Sequence, residues 1–384
     1  MSPFFNTEQS ADLLKRGFSR RSFGRLATVI TAGATLPFYN ERALAQLSMV
    51  KNMPADAVKI NANENPMGPC PEAADAIYNV VKKGGRYMYE ETFTMQETLA
   101  QVCGVKPKYV TPYAGSSDPL HRSVLSFCSK DHPFVKADPG YEAGERAAKF
   151  IGAPVFNVPL RKGTWDHDVK AMLAAHPSPG LIYICNPNNP TGTLTSRADI
   201  EWVLANKPKE TVLVLDEAYT HLSANAVPCT DLVAQDKDVI VLRTFSKIYG
   251  MAGLRAGAAI ARPDLLDKMK DWSAGAMPVT GMVGATASLR VASLVPERRK
   301  IIADIREDTL SFLTAKNIEF IPSDSNKFMM NAKRPGIEFY KAMAQEKVYI
   351  GRVWPVWPTW VRVTVGSKDD MAKFKAACLK CYNA

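Results

Sequence analysis

Short runs of aliphatic residues alternate with amphipathic stretches through the middle of the chain. Residues 181–185, 211–215 and 238–243 are such runs, rich in Leu, Ile and Val. Because strands covered by helices on both faces read as continuous apolar runs, the pattern predicts an α/β fold with a mostly parallel sheet. Apolar side chains at helical spacing predict helices at 72–81, about 95–103, 120–127 and 142–150.

The pattern changes beyond residue 261. A long helical stretch at 285–315 is followed by short apolar runs at 318–331, 348–353 and 360–365, which are interrupted by a helical pattern at 336–345. These elements predict a smaller α+β domain at the carboxyl end. The predicted division is an amino-terminal segment 1–45, an arm and linker 46–80, a large domain 81–265 and a small domain 266–384.

Polar residues follow each of the three apolar strands. Asn189 comes after the first strand, Asp216 and Tyr219 after the second, and Lys247 after the third. Because the carboxyl ends of neighbouring parallel strands meet at one edge of a sheet, these side chains are predicted to meet there. A lysine amine can form a Schiff base, and a carboxylate at the end of an apolar strand needs a cationic partner. The protonated ring of pyridoxal phosphate would be such a partner; a solvated lysine is the structural alternative.

Two further segments carry donors that suit a phosphate group. Gly115, Ser116 and Ser117 form a turn that opens a predicted helix, where backbone N–H groups and the helix dipole attract an anion. Helix capping by serine explains the same turn without a ligand. Tyr141 follows a Pro-Gly turn, so its ring either stacks on a ligand or packs as a half-buried tyrosine. The donors near Lys247 are Thr244, Ser246 and Arg255.

Composition narrows the classes of function. The length of 384 residues and the hydrophobic content of 46% are typical of a globular enzyme. The net charge of +10 is dispersed, without a basic block interleaved with aromatic residues, so nucleic acid is not an expected partner. Seven cysteines without a second Cys-x-x-Cys pair or a His cluster predict neither a disulfide scaffold nor a metal site. Cys378 and Cys381 instead suit one face of a terminal helix.

The amino-terminal segment has the features of a bacterial export signal. Arg20 and Arg21 stand within Ser-Arg-Arg-Ser-Phe-Gly-Arg-Leu, the mildly apolar residues 27–38 follow, and an Ala-Leu-Ala sequence ends at Ala45. This order predicts a twin-arginine signal over 1–45 and a periplasmic or exported protein. A disordered arm with a chance arginine pair is the alternative. The apolar run is too short to span a bilayer, so no membrane span is expected.

Three motifs follow one another along the chain. They are Asn-Pro-x-Asn-Pro-Thr-Gly from Asn186, Asp-Glu-Ala-Tyr from Asp216 and Ser-Lys-x-x-Gly-x-Ala-Gly-Leu-Arg from Ser246. Together they resemble the motifs of fold-type I pyridoxal-phosphate aminotransferases, most closely the histidinol-phosphate aminotransferase-like branch, over nearly all of residues 61–366. The resemblance implies an enzyme that moves an amino group between an amino acid, or a related amine such as histidinol phosphate, and a 2-oxo acid.

The resemblance also implies roles for individual residues. Lys247 would hold the cofactor as a Schiff base and move a proton between substrate and cofactor, and Asp216 would pair with the ring nitrogen. Asn189 and Tyr219 would hydrogen-bond the phenolic oxygen of the ring, and Tyr141 would stack on the ring. The large domain would bind the cofactor phosphate through Gly115, Ser116, Ser117, Thr244, Ser246 and Arg255.

Other matching residues would face the substrate or a second subunit. Arg362 would clamp the acidic group of the substrate, which is an α-carboxylate in amino-acid-specific members and a phosphate in the histidinol-phosphate enzymes. Asn63 and Glu64 match a family loop near the substrate, and Asn189 would contact the substrate as well. Tyr87 would reach the phosphate of the neighbouring subunit's cofactor, which implies a homodimer with shared active sites.

The chain departs from the family pattern in three places. Met88-Tyr89 replaces Pro-Asp, and Ser117-Asp118 replaces Asp-Glu. A tryptophan-rich segment before Arg362 leaves two interpretations open, a pocket for an aromatic amino donor or the packing of a surface hairpin. Its tryptophans are Trp354, Trp357 and Trp360.

Two alternative functions stay open. A pyridoxal-phosphate-dependent decarboxylase, racemase or lyase of the same fold would share these residues, because these reactions differ in which substrate bond stands perpendicular to the ring. A non-catalytic binding protein of the same fold is the second alternative, and the intact set of Lys247, Asp216 and Arg255 argues against it. An exported enzyme also fits poorly with histidine biosynthesis, which is a cytoplasmic pathway.

Overall fold

The computed structural model describes residues 53–272 and 275–382, so the predicted export signal lies outside the described residues. The strands are β1 (Val58–Ile60), β2 (Val110–Tyr113), β3 (Phe134–Asp138), β4 (Val155–Pro159), β5 (Leu181–Cys185), β6 (Val212–Asp216), β7 (Val239–Thr244), β8 (Gly257–Ala261), β9 (Phe320–Ile321), β10 (Lys327–Asn331), β11 (Val348–Ile350), β12 (Val353–Trp354) and β13 (Trp357–Thr364). The helices are α1 (Pro71–Val81), α2 (Tyr89–Cys103), α3 (Ser117–Phe127), α4 (Ala143–Ile151), α5 (Val169–Ala174), α6 (Arg197–Asn206), α7 (Thr230–Ala234), α8 (Pro263–Lys270), α9 (Val279–Leu289), α10 (Leu294–Ala315), α11 (Gly336–Gln345) and α12 (Lys368–Tyr382).

A seven-stranded sheet with the order β2-β8-β7-β6-β5-β3-β4 forms the centre of the fold. Neighbouring strands from β4 to β7 are parallel, whereas β8 is antiparallel to both β7 and β2. Strands β5, β6 and β7 are buried along their whole length, which accounts for their continuous apolar runs. The predicted α/β class with a mostly parallel sheet is therefore confirmed.

Two smaller sheets involve the carboxyl-terminal part of the chain. β1 pairs in parallel with β11, and an antiparallel sheet has the order β12-β13-β10-β9. Side chains along β10 alternate between its two faces, so Phe328 and Met330 join the main core while Met329 packs against Trp354 in a second cluster. Met329 is opposite Arg362 on β13, and Arg362 therefore lies on the second face.

The ends of several elements agree with the pattern in the sequence. The structure has a helix at the predicted 336–345 and a strand at the predicted 181–185. α2 begins at Tyr89, before the predicted position 95. The sequence pattern missed this first part of the helix because its buried residues start only at Met95 and its first turn carries no apolar pattern. The domain boundaries proposed at 81–265 and 266–384 stay predictions.

The single long helix predicted at 285–315 is wrong. The structure has two helices there, α9 and α10, which are bent by 90° at the break. Pro296 lies in the first turn of α10, where its missing N–H group and its ring prevent a helix from continuing through the preceding residues. Among the described residues no single helix is long and apolar enough to cross a bilayer, although α9 and α10 pass that test together as a bent pair.

The two cysteines near the carboxyl end occupy one helix face, as predicted. Cys378 and Cys381 are buried, free thiols on α12. Sγ of Cys378 lies 3.9 Å from Sδ of Met330, so this face of the helix packs against the core. Within the described ranges, no group of three or more His, Cys, Asp or Glu side chains is arranged to hold a metal ion.

Candidate active site

The carboxyl ends of β5, β6 and β7 lie side by side and form what we call the strand-end edge. Cys185 at the end of β5 is opposite Asp216, and Asp216 is opposite Leu242 of β7. The loop after β5 carries Asn189 and the loop after β7 carries Lys247. β5, β6 and β7 are parallel neighbours in the sheet, so the residues that follow these strands lie together at one edge.

Asp216 is a buried carboxylate at this edge, with 2% of its surface exposed. The hydroxyl of Tyr183 donates to its Oδ2 at 2.8 Å, and the backbone N–H of Ala218 donates to its Oδ1 at 3.1 Å. Burial and the nearby carboxylate raise the pKa of Tyr183 well above its usual value, so Tyr183 keeps its proton and stays a donor. A buried carboxylate that is fixed in this way suits a cationic ring nitrogen.

A network of amides and hydroxyls links the strand-end edge to β13. Nδ2 of Asn63 donates to the hydroxyl of Tyr219 at 3.0 Å and to Oδ1 of Asn189 at 3.4 Å. Nη1 of Arg362 donates to the same Oδ1 of Asn189 at 3.1 Å. Oγ1 of Thr364 exchanges two hydrogen bonds with Asn63, each of 3.0 Å. The structure thus joins four of the predicted residues directly.

Arg362 is buried with an incomplete set of partners. It is 5% exposed, and its Nη2 donates to the carbonyl of Asn61 at 2.6 Å. Its Nε has no hydrogen-bond partner, and no carboxylate of the described residues lies within ion-pair distance of it. Burial, together with the nearby Arg352, lowers the pKa of Arg362 to about 10. A buried guanidinium of this kind favours an anionic ligand.

The predicted phosphate site is assembled from two loops. Nη1 of Arg255 donates to Oγ of Ser246 at 3.3 Å, and the hydroxyl of Thr244 donates to the same Oγ at 2.9 Å. Nη2 of Arg255 donates to the carbonyl of Ala114 at 3.0 Å. Gly115 has a φ of +91°, and a Cβ there would lie 2.2 Å from Nη2 of Arg255. Only glycine allows this close approach of the backbone to the guanidinium.

The start of α3 completes this side of the site. Ser116 precedes the helix, and its side chain makes no capping hydrogen bond, so the capping interpretation of this turn is wrong. Ser117 is buried, and its hydroxyl lies 2.9 Å from the hydroxyl of Tyr141. Asp118, one of the departures from the family pattern, is paired with Arg122 at 2.7 Å within the same helix. The positive end of α3 and these hydroxyls suit a phosphate.

Lys247 lies half-buried in a loop that is held from two sides. Nδ2 of Asn65 and Nη1 of Arg298 both donate to the carbonyl of Ile248, each at 3.0 Å. Nζ of Lys247 lies 5.6 Å from the ring centroid of Tyr219. The arm before α1 and helix α10 therefore fix the backbone next to the candidate nucleophile.

Two predicted site residues lie on the surface of the subunit. The side chain of Glu64 is exposed, although its backbone carbonyl accepts from Nδ2 of Asn326 at 3.4 Å. Tyr87 is 70% exposed and stacks on Tyr89 with 5.6 Å between ring centroids. Tyr87 therefore lies on the surface beside Tyr89 and not among the buried residues of the site.

The tryptophan-rich segment divides into two parts. Trp354 is 2% exposed, and its ring centroid lies 4.3 Å from the guanidinium carbon of Arg352 and 5.6 Å from that of Arg362. Trp357 and Trp360 instead pack around Trp165, with ring centroids 5.1 Å and 6.3 Å from it. Trp354 therefore lies beside the two arginines, and the other two pack against Trp165 in the loop between β4 and α5.

Sequence reasoning missed Arg352 and Lys327. Arg352 is buried and forms an ion pair with the partly exposed Glu142, and Lys327 packs against the ring of Tyr219. The sequence carries a signal for Lys327, a charged residue at the start of the apolar run 327–331, which is costly to bury. Nothing comparable marks Arg352, because its partner comes from a distant loop.

The comparisons with known proteins agree with this geometry. A model of the family described as "Aminotransferase class I and II" matches residues 55–378. The chain belongs to this family. Histidinol-phosphate aminotransferase 1 of Nitrosococcus oceani is 34% identical over 327 residues, which cover 83% of this chain and 87% of that protein. Histidinol-phosphate aminotransferase of Moorella thermoacetica is 31% identical over 326 residues, covering 83% and 84%.

Solved structures of aminotransferases have the same fold. Histidinol-phosphate aminotransferase from Sinorhizobium meliloti, in complex with pyridoxal-5'-phosphate, superposes with a TM-score of 0.80 and 24% identity, over 91% of this chain and 96% of that one. The predicted fold type I is confirmed, and so are the predictions of an enzyme, of aminotransferase activity and of pyridoxal phosphate as cofactor. Among the alternatives from sequence, the family therefore favours amino transfer.

The residues of this aminotransferase fit the cofactor. Pyridoxal phosphate, when bound, supplies an aldehyde that takes up the amino group and a ring that delocalises electrons from the substrate Cα. Asp216 would hold the ring nitrogen, Tyr219 the phenolic oxygen, and Arg255 with its serine partners the phosphate. Nζ of Lys247 would move a proton between the substrate Cα and the cofactor. Arg362 would orient the substrate by its acidic group.

Proposed function

We propose that this aminotransferase uses an amino donor whose acidic group binds Arg362. The observation that carries the proposal is the buried guanidinium without a carboxylate partner among the described residues. An α-carboxylate or a phosphate monoester would supply the missing charge and hydrogen bonds. The relatives named histidinol-phosphate aminotransferases make histidinol phosphate one candidate donor, and amino acids are the others.

The second arginine at the substrate end supports a donor with one acidic group near Arg362. Arg352 already forms an ion pair with Glu142, so its charge is compensated within the protein. Trp354 is the tryptophan near both guanidinium groups, with its ring centroid 4.3 Å from the guanidinium carbon of Arg352 and 5.6 Å from that of Arg362. The aromatic-donor hypothesis therefore rests on Trp354, because Trp357 packs around Trp165 instead.

A screen of donors tests this proposal. The purified enzyme is mixed with phenylalanine, aspartate and histidinol phosphate, together with 2-oxoglutarate, and the absorption of the bound cofactor and the products are followed. We expect amino transfer with a clear preference for one donor and production of its matching 2-oxo compound. Release of carbon dioxide or racemisation without amino transfer would contradict the proposal, and a preference for aspartate would contradict the aromatic donor.

We propose that the enzyme acts as a homodimer with shared active sites. Of the eleven exposed large hydrophobic side chains among the described residues, seven lie between Met67 and Val102, and Tyr87 is among the most exposed. Such clustering on α1, α2 and their connection suits a surface that a second subunit covers.

Mixing two inactive variants tests the shared sites. In a dimer of a Lys247→Ala subunit with a Tyr87→Ala subunit, one site would combine both changes and the other would be intact. Random mixing gives hybrids in half of the dimers, so we expect recovery of about a quarter of the wild-type rate. If activity stays at the sum of the separate variants, the sites are not shared.

We propose that a twin-arginine signal exports the protein. The family match begins at residue 55, after the segment that carries Arg20 and Arg21. The test is fractionation of cells that produce the full chain or its R20K/R21K variant. We expect the wild type to be exported and the double variant to stay in the cytoplasm. The proposal would be refuted if both proteins were found outside the cytoplasm in equal amounts, or if neither protein was found there.

A further inference from the structure

Two lysines among the described residues are almost completely buried, but their environments differ. Lys136 is 1% exposed, and its Nζ lies 3.2 Å from a carboxylate oxygen of Glu145. Lys327 is 0% exposed, and its Nζ donates to Oγ of Ser325 at 2.9 Å. Within the described residues no carboxylate lies at ion-pair distance from Lys327. A buried amine without an acidic partner costs stability, so its presence calls for a functional explanation.

The amine of Lys327 faces the ring of Tyr219. Its Nζ lies 3.2 Å from the ring centroid, while the other cation–ring distances among the described residues are between 4.3 and 5.9 Å. Lys327 is opposite Thr364 in the β10–β13 register, and Thr364 binds Asn63, which donates to the hydroxyl of Tyr219. The small-sheet face, which carries Lys327, Arg362 and Thr364, therefore contacts the ring of Tyr219 directly and reaches its hydroxyl through Asn63.

Several charged and titratable groups surround this amine. Burial lowers the pKa of Lys327 well below its usual value, Arg362 and Lys247 lower it further, and Cys185 and Asp216 act in the opposite direction. Tyr219 itself is 5% exposed, and burial raises its pKa. The N–H groups that Lys327 presents to the ring face oppose that effect, because donors against the ring stabilise negative charge on the phenolic oxygen.

We infer that Lys327 is a positioning residue for Tyr219. Its amine packs against one face of the Tyr219 ring and holds the ring in place. The same contact makes the Tyr219 hydroxyl a stronger hydrogen-bond donor towards the phenolic oxygen of the cofactor. The inference rests on the cofactor-binding function of this site. The stability cost of the buried amine is thus explained by its effect on Tyr219, which would hold the cofactor. A chain with an apolar residue at this position would lack that effect.

The first test needs no cofactor. Thermal unfolding of the cofactor-free protein is compared between the wild type and Lys327→Met, which nearly keeps the length of the side chain and removes its amine. We expect the melting temperature to rise by roughly 2–4 °C, because a buried amine without an acidic partner is removed. Lys268→Met is the control, since Lys268 is exposed and its Nζ lies 5.7 Å from the ring of Phe127, outside the site. A lower melting temperature for Lys327→Met would show a structural role and overturn the inference.

The second test follows the visible absorption of the bound cofactor against pH in a double-mutant cycle. The four proteins are the wild type, K327M, Y219F and the double variant. We expect K327M to raise the titration midpoint by at least about 0.5 pH unit, and to change it much less in the Y219F background, because Lys327 acts through Tyr219. An unchanged midpoint, or equal shifts in both backgrounds, would overturn the inference. Absence of the visible band in the wild type would instead contradict cofactor binding.

Discussion

At the strand-end edge, the buried carboxylate of Asp216 accepts hydrogen bonds from Tyr183 and from the backbone of Ala218. At the small-sheet face, Arg362 is buried without a carboxylate partner among the described residues. The cofactor end of the site is thus held by groups that satisfy one another, whereas the substrate end retains positive charge. Because uncompensated buried charge lowers stability, this difference indicates that the substrate end is built for an anion.

The Lys247→Ala variant should show the largest effect, at the cofactor end. Loss of the amine removes the group that moves the proton at the substrate Cα, so we expect amino transfer to fall by at least about 10³-fold. Initial rates and the visible absorption of the purified protein measure this. Lys268→Ala, an exposed lysine, serves as the control. A yellow, transaminating Lys247→Ala protein would remove the basis of the assigned mechanism.

The two arginines beside Trp354 provide the direct test of the comparison. Arg362→Met should raise KM for the donor by about 10²-fold and leave the cofactor-free protein as stable as the wild type or more so, because no internal ion pair is lost. Arg352→Met should instead lower stability by about 1–2 kcal/mol, since it breaks the ion pair with Glu142, whose side chain is 23% exposed. Donor kinetics and denaturant unfolding check both. The reverse pattern would show that Arg362 is the structural arginine.

The cofactor end should also be sensitive to acid through His167. Its ring lies 2.8 Å from Oγ1 of Thr195, whose backbone N–H donates to Asn186 in the loop after β5. Burial, with a contribution from Arg161, lowers the pKa of His167 to about 3. The unfolded chain therefore binds a proton near pH 6.5 that the folded chain does not bind until about pH 3, and stability is lost as the pH falls between these values.

Unfolding at several pH values tests this prediction. Between pH 6.5 and pH 5 the wild type should lose about 2 kcal/mol on account of this residue. His167→Asn, which can keep the hydrogen bond to Thr195, should not show that part of the loss. His132→Asn, at an exposed position, should behave as the wild type. The same acid sensitivity in His167→Asn would locate its cause elsewhere.

The last prediction concerns Gly115 in the phosphate site. Gly115→Ala should cost about 1–3 kcal/mol of stability and weaken cofactor binding, because the new Cβ would collide with the guanidinium of Arg255. Gly152→Ala is a matched control, since Gly152 has a φ of +76° with no atom within 4 Å of the added Cβ. Titration of the cofactor-free variants with pyridoxal phosphate should show weaker binding for Gly115→Ala alone. Equal affinities would exclude a role for this close approach.

The cofactor end was predictable from sequence to a large extent. Apolar strands followed at once by polar residues placed Asn189, Asp216 and Lys247 at one edge, because parallel strands have a fixed direction and their ends meet. The same local reasoning failed at 285–315, where the effect of Pro296 was overlooked, and at Ser116, where capping was an available explanation that the structure does not show.

The substrate end was not predictable in the same way. Asn63 and Thr364 are 301 positions apart, and Lys327 meets Tyr219 across the two sheets. No pattern within one segment specifies such contacts, because they depend on how β10 and β13 pack against the strand-end edge. The resemblance to a family placed Arg362 near the substrate, but its missing partner became visible only in the folded chain.

The amino-acid sequence by itself determined the class of fold, the order of the strands' polar ends and the chemistry of the cofactor, since each depends on residues that are close together in the chain. The tertiary structure decided which buried charges are compensated. Whether Arg352, Arg362, Lys136 and Lys327 meet a carboxylate depends on contacts between distant segments, and burial turns that difference into stability or function.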